Sequence, residues 1–288
     1  MPSRVVAAGI VAFWLATTGL VFHRDVWPRL FASGPPPVAI DLADEARQNV
    51  PADWSLYRNG VRSGKLTTRM KYLDAEDAFQ FTYRYLDLRL EQSGVTVAMP
   101  EAVSEVRMTR AGRLKAETMT GTVKAGVGGL NVLEATIEVR GVVENGMLTG
   151  RAEVKSNWKN IAGDLEPVPV PPESQPMNPM QPVNRLKHVR GGQKWVVHES
   201  NPLQEALGKL LQKIGPLAGE AKQKQLLVAK VGDAPQTLRW QDQDVECWVI
   251  EYRREEVVAR TWVRVSDGKV LRQEASEKGE ALAFERED

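Results

Sequence analysis

Phe79-Gln80-Phe81-Thr82-Tyr83-Arg84-Tyr85 alternates aromatic and polar side chains without a break. Successive side chains of an extended strand point to opposite faces, so this run predicts a β-strand with four rings on one side. After Tyr85 the phase slips by one, and Leu86, Leu88 and Leu90 take over with Asp87 and Arg89 opposite. A β-bulge or bend near Tyr85-Leu86 would keep both series on the same side.

The pattern extends outward as hairpins. Asn145-Gly146 lies between Gly141–Glu144 and Met147–Gly150, and Asp267-Gly268 between Trp262–Ser266 and Lys269–Glu274. Both dipeptides signal type I′ turns, whose two central residues need positive φ. Ala111-Gly112 is a weaker signal of the same kind. VRMTRAGRLKAE and VRVSDGKVLRQE share a pattern, which hints at one hairpin plan used twice. Seven of the 17 prolines fall between Pro167 and Pro182. That density predicts a connector or surface loop, with no strand or helix interior inside it. The chain is thereby divided into an N-terminal β-rich lobe, residues 51–166, a proline-rich linker, 167–184, and a C-terminal α+β lobe, 185–288.

The C-terminal lobe opens on Trp195-Val196-Val197-His198 and passes into a helix. Asn201 is the N-cap candidate, Pro202 suits the first turn, and Leu203, Leu207, Leu210, Leu211 and Ile214 make one apolar stripe. Gly215-Pro216 ends it. Strands follow at 226–231, 237–241, 245–253, 257–265, 269–276 and 281–286, with short connections that predict an antiparallel meander. An odd loop between Arg253 and Val257 would set Trp248 and Trp262 opposite each other on one face, and an even loop would separate them. The fold class expected is mainly β (α+β): curved antiparallel sheets forming a half-barrel, one amphipathic helix packed on the sheet, and an N-terminal transmembrane helix.

That last helix is Val5–Phe22, 18 residues without a charge. As a helix it would rise about 27 Å, close to the roughly 30 Å hydrocarbon core of a bilayer. The exit sequence Phe22–Trp27 lacks the small residues of a signal-peptidase site, and the sole cysteine, Cys247, is far from any lipidation position. Residues 1–24 therefore read as an uncleaved single-pass signal-anchor, and 25–50, with Gly34-Pro35-Pro36-Pro37, as an extended tether. Flanking charge is nearly balanced; a short tail before a large domain favours a bacterial inner-membrane protein with its bulk in the periplasm.

Composition narrows the chemistry. With 38 Lys+Arg against 37 Asp+Glu the formal charge is +1, so no broad basic footprint predicts nucleic-acid binding. One cysteine and three scattered histidines make neither a disulfide nor a zinc site. His198-Glu199-Ser200 is no triad, because strand neighbours face apart. Gly126-Val127-Gly128-Gly129 lacks the Lys-Ser/Thr of a phosphate loop, and Asp74, Glu76 and Asp77 do not match calcium-loop spacing. No catalytic residue, metal or cofactor is expected, and the protein reads as a non-enzyme. The apolar inventory is richer: Phe79, Phe81, Tyr83, Trp195, Leu207, Leu211, Trp240, Trp248 and Trp262 form either the core beneath the Leu203–Ile214 helix or a candidate surface for a greasy ligand.

The order of a Trp195 strand, an amphipathic helix from Asn201-Pro202-Leu203 and a meander closing on DGKVLRQEASEKGEALAFERE resembles the LolA/LolB-like superfamily of periplasmic lipoprotein carriers over residues 183–288. The resemblance implies a half-barrel with helices across its mouth and a hydrophobic cavity between. A membrane span and the missing N-terminal cysteine depart from shuttle and receptor alike, which points to a stationary tethered domain. The expected function is binding of a hydrophobic ligand, such as a lipid or lipoprotein, or of a partner envelope protein. The alternative is a structural scaffold that docks another component through its sheet surface or its proline-rich linker.

Overall fold

The computed structural model describes residues 13–14, 17–19, 51–92, 94–109, 112–128, 130–170, 182–186, 188–198, 202–212, 226–254, 256–277 and 280–287. Its strands are β1 (Ala52–Arg58), β2 (Val61–Leu73), β3 (Ala78–Gln92), β4 (Val95–Thr109), β5 (Leu114–Val127), β6 (Leu130–Glu144), β7 (Met147–Ser156) and β8 (Ile161–Pro169). There follow β9 (Lys194–His198), helix α1 (Pro202–Gln212), β10 (Leu226–Val231), β11 (Gln236–Trp240), β12 (Gln243–Arg253), β13 (Val257–Arg264), β14 (Val270–Glu277) and β15 (Glu280–Arg286).

All fifteen strands belong to one antiparallel sheet, in the order β8-β7-β6-β5-β4-β3-β2-β1-β15-β14-β13-β12-β10-β9, with β11 beside β12. The sheet is open, since β8 and β9 end the order. It also runs without interruption through the two lobes read from the sequence: β1 pairs with β2 on one side and with β15 on the other. That join is stitched inside. The Trp54 indole is fully buried, donates to Thr68 Oγ1 at 3.0 Å and lies 5.7 Å beneath the Arg286 guanidinium. Arg286 in turn donates to the Asn184 carbonyl at 2.8 Å, and Thr68 is bonded to the Asn184 side chain.

One continuous core includes Val139 of β6, Leu165 of β8, Trp54 of β1, Val231 of β10 and Trp195 of β9. A flat sheet carrying an eleven-residue helix could not exclude water from residues so widely spread, so the sheet curls upon itself. A line of faults shows where. Ser63 is an extra residue between the pairs Leu56–Gly64 and Tyr57–Arg62. A Cβ on Gly64 would stand 3.0 Å from Leu88 Cα. On β3 Asp87 has φ 51°, in register with Pro100 of β4, which has no N–H to give; β4–β5 pairing is then interrupted between Ala98 and Ala102. Tyr85 and Leu88 both reach the core across this break. The slip anticipated near Tyr85-Leu86 is therefore a bend at Asp87.

Several expectations need correction. β8 continues through Pro167 to Pro169, inside the stretch read as linker. It tolerates them because it is an edge strand, where a missing N–H faces no partner. Asn145 and Gly146 have φ 50° and 74°, the type I′ turn expected, but at Asp267-Gly268 only the glycine is left-handed. There Arg264 N donates to Lys269 O across a longer loop, and the Asp267 carboxylate fastens it by accepting from Arg264 and from Lys269 N. Asn59-Gly60 and Gln241-Asp242 are further turns with positive φ at both positions. The Arg253–Val257 connection is odd, yet a bulge beside it shifts the register so that Val249, not Trp248, faces Trp262. The two tryptophans point to opposite faces. Nor is the C-terminal part a plain meander: β10 and β11 follow one another along the same side of β12.

Helix α1 starts at Pro202 as its sequence predicts and buries Leu203 and Ala206 against β6, β7 and β8. Asn201, the stretch 213–225 and the tether lie outside the described residues. So does most of Val5–Phe22, of which 13–14 and 17–19 are helical. Among the described residues no helix is long and apolar enough to cross a membrane.

Candidate functional site

The curled sheet has an inner face that can be read row by row from the register. One row is Phe81, Val106, Glu117, Gly141, Gly150 and Leu165 on β3 to β8. The next is Tyr83, Ser104, Met119, Val139, Ala152 and Gly163, followed by Tyr85, Ala102, Gly121 and Ile137. Past the bend the same face continues as Leu88, Met99 and Val97, with Val123, Ala125 and Leu133 beside them. The Phe81 and Tyr83 rows are mostly buried, whereas the face is half-buried from the Tyr85 row onward.

Glu117 is the one carboxylate among the described inward positions of β3 to β8. It is 8% exposed. Its alternation partners Met119 and Val123 are apolar and half-buried, so β5 cannot turn it outward without exposing them further. Gly141 beside it makes the space in which α1 sits: a Cβ there would meet Leu148 and Leu203 side-chain atoms at 3.1 Å. The helix thus brings its first turn onto the acid, and the Leu203 N–H donates to the Glu117 carboxylate. Burial nevertheless prevails and pushes the carboxyl up to about 7, with the Leu203 N–H pulling the other way. Burial also raises the neighbouring phenols, Tyr85 to about 12 and Tyr83 further, the latter helped by the negative charges of Tyr85 and Glu117. The arrangement is an apolar trough with one proton-sensitive oxygen pair at its closed end, where a helix N-terminus meets it.

The nine residues singled out in the sequence are divided by the structure. Phe79, Phe81, Tyr83 and Trp195 are buried in the inner core, and Leu207 and Trp248 pack against it. Leu211 belongs to the last turn of α1, where only the backbone is described. Trp240 and Trp262 lie apart, on the opposite face, around Leu238, Cys247 and Leu271. That smaller cluster is closed by Arg264, 5.7 Å over the Trp240 ring, while Trp240 Nε1 donates to Arg286 O at 3.0 Å. Burial pushes the Cys247 thiol up to about 11, the environment of an inert side chain. Among the described residues no group of three or more His, Cys, Asp or Glu is placed to hold a metal ion. Glu76, one of the acids weighed for calcium, is paired with Arg107 and Lys115. The sequence does not single out Glu117; its phase with Met119 and Val123 is the signal that points to it.

No family model matches the chain, and no curated protein matches it. Among solved structures it is similar to a β-barrel-like protein of the domain of unknown function DUF1849 from Brucella abortus. The identity is 12% and the TM-score 0.35, over 82% of this chain and 94% of that one.

Proposed function

We propose that the chain is a non-catalytic protein of the bacterial envelope, held at the inner membrane by Val5–Phe22, whose half-barrel face takes up a hydrophobic ligand such as an acyl chain. One observation carries the reading: beyond Glu117 and Ser104 in its buried floor, the inner face is apolar through half-buried Leu88, Met99, Val123 and Leu133 toward its open end. Such a surface is costly to leave wet and suits a greasy guest. The test is photocrosslinking of the full-length chain with a diazirine-bearing long-chain fatty acid, followed by peptide mapping. Adducts should concentrate in 95–127 and 130–139 and drop several-fold in Val123→Arg with its strand content unchanged. Adducts confined to residues 5–22, or spread evenly over both faces, overturn the reading.

The scaffolding alternative is favoured by a different feature. Val196 and Val228 are cross-strand partners at the β9 edge, and both are exposed. A partner protein docking there would protect β9 amides from hydrogen exchange and leave the inner face untouched.

A further inference from the structure

Three neighbouring turns of the sheet, β3–β4, β5–β6 and β7–β8, lie at the end toward which the inner face opens. Their apolar residues form one patch. Val95 pairs with Val127, and Val127 with Leu130, across adjacent strands. The β7–β8 turn is tied to the same patch by Asn157, which donates from Nδ2 to Val132 O at 3.4 Å and exchanges bonds of 3.1 Å with the Glu134 backbone. Within that turn Ser156 Oγ accepts from Trp158 N and Lys159 N and donates to Lys159 O. A firmly built turn thus holds the Trp158 indole outward. Exposure reaches 55% at Val127, 75% at Leu130 and 68% at Trp158. These are large apolar groups presented to the surroundings on rigid backbone, and a contiguous patch of that kind marks a contact surface.

We infer that this rim, Val95, Val127, Leu130, Val132 and Trp158, seats the domain on an anionic lipid surface. Five side chains on neighbouring turns are too few for a stable protein interface, which engages about 20–30 residues a side. They suit shallow insertion at headgroup depth, where an indole is favoured. Charge agrees. The sequence across the tips, 94–96, 127–132 and 157–160, holds Lys159 and no acid, whereas the turns at the other end carry four acids, Asp74, Glu76, Asp77 and Glu144, against Arg110 and Arg113. A bilayer is also within reach: residues 23–50 separate the uncharged run from the sheet and would extend to about 95 Å. The inference concerns where the domain rests and holds whether or not the inner face carries a ligand.

The experiment uses the full-length chain reconstituted into phosphatidylethanolamine–phosphatidylglycerol vesicles that contain a nitroxide-bearing phospholipid. An environment-sensitive dye is attached through Leu130→Cys, Trp158→Cys or, at the opposite end, Asn145→Cys; native Cys247 is buried and will not take label. Quenching several-fold stronger at 130 and 158 than at 145, and weakened at 130 by Trp158→Ser or by replacing phosphatidylglycerol with phosphatidylcholine, is expected. Equal quenching at both ends overturns the inference. So does incorporation into vesicles with no quenching at any position, which would leave membrane anchoring and fatty-acid crosslinking unaffected. Protection of the dye at 130 by added protein, without lipid quenching, overturns it in favour of a protein partner.

Discussion

Glu117 shows how one side chain can set the pH behaviour of a domain. Its carboxyl is raised from 4.5 to about 7, so between those values the native state holds a proton that the unfolded chain has released. Stability therefore falls as pH climbs through that window and levels off above it. Glu117→Gln keeps an acceptor for the Leu203 N–H without the buried charge. It should stabilise the protein by up to about 3 kcal/mol at pH 8 and change little at pH 4, read by urea denaturation at both pH values. Asp267 has the opposite sign. Hydrogen bonds from Arg264 hold its carboxyl at about 2, so its contribution is present above pH 4 and is lost as pH falls through 2. The pair is partly open to water, which limits Asp267→Asn to a cost of about 1 kcal/mol at pH 7, vanishing near pH 2 in the same assay.

At the scale of elements, the close approach of β6 and β7 depends on the side chain that β7 lacks at one position. A Cβ at Gly150 would lie 1.9 Å from the Arg140 carbonyl oxygen, a backbone atom that cannot swing aside. Gly150→Ala should cost roughly 3 kcal/mol and speed exchange of the β6 and β7 amides around it, measured by denaturation and hydrogen exchange. The edge strand makes a second case. Pro167 and Pro169 of β8 offer no N–H to an incoming strand. Pro167→Thr with Pro169→Thr should leave the fold intact and increase association several-fold, followed by light scattering. These elements also mark what was legible in the sequence. A period-two run such as Phe79–Tyr85 locates its strand closely, because alternation is a local property. Bulges are not local: the extra residue beside Arg253 flips the relation of Trp248 to Trp262, and the bend at Asp87 depends on Pro100 in the next strand. For that reason the nine-residue surface divides into two faces, and Glu117 joins the inner one only when β5 is laid between β4 and β6. Pro167 and Pro169 read as breakers because edge position is a property of the whole sheet.

For the whole molecule, the uninterrupted ladder predicts one cooperative unit. Calorimetry on the full chain should give a single unfolding transition for residues 51–287, and Trp54→Ala, which empties the join between β1, β2 and β15, should lower it intact instead of splitting it. Two resolved transitions would show that the ladder does not transmit cooperativity across β1. The same join constrains the order of events during synthesis. β1 has its β2 partner almost at once, but its other flank stays unsatisfied until Arg286 has been made, so the emerging polypeptide carries an open ribbon for most of its production. Any holdase that accompanies this chain during synthesis would find its natural target there.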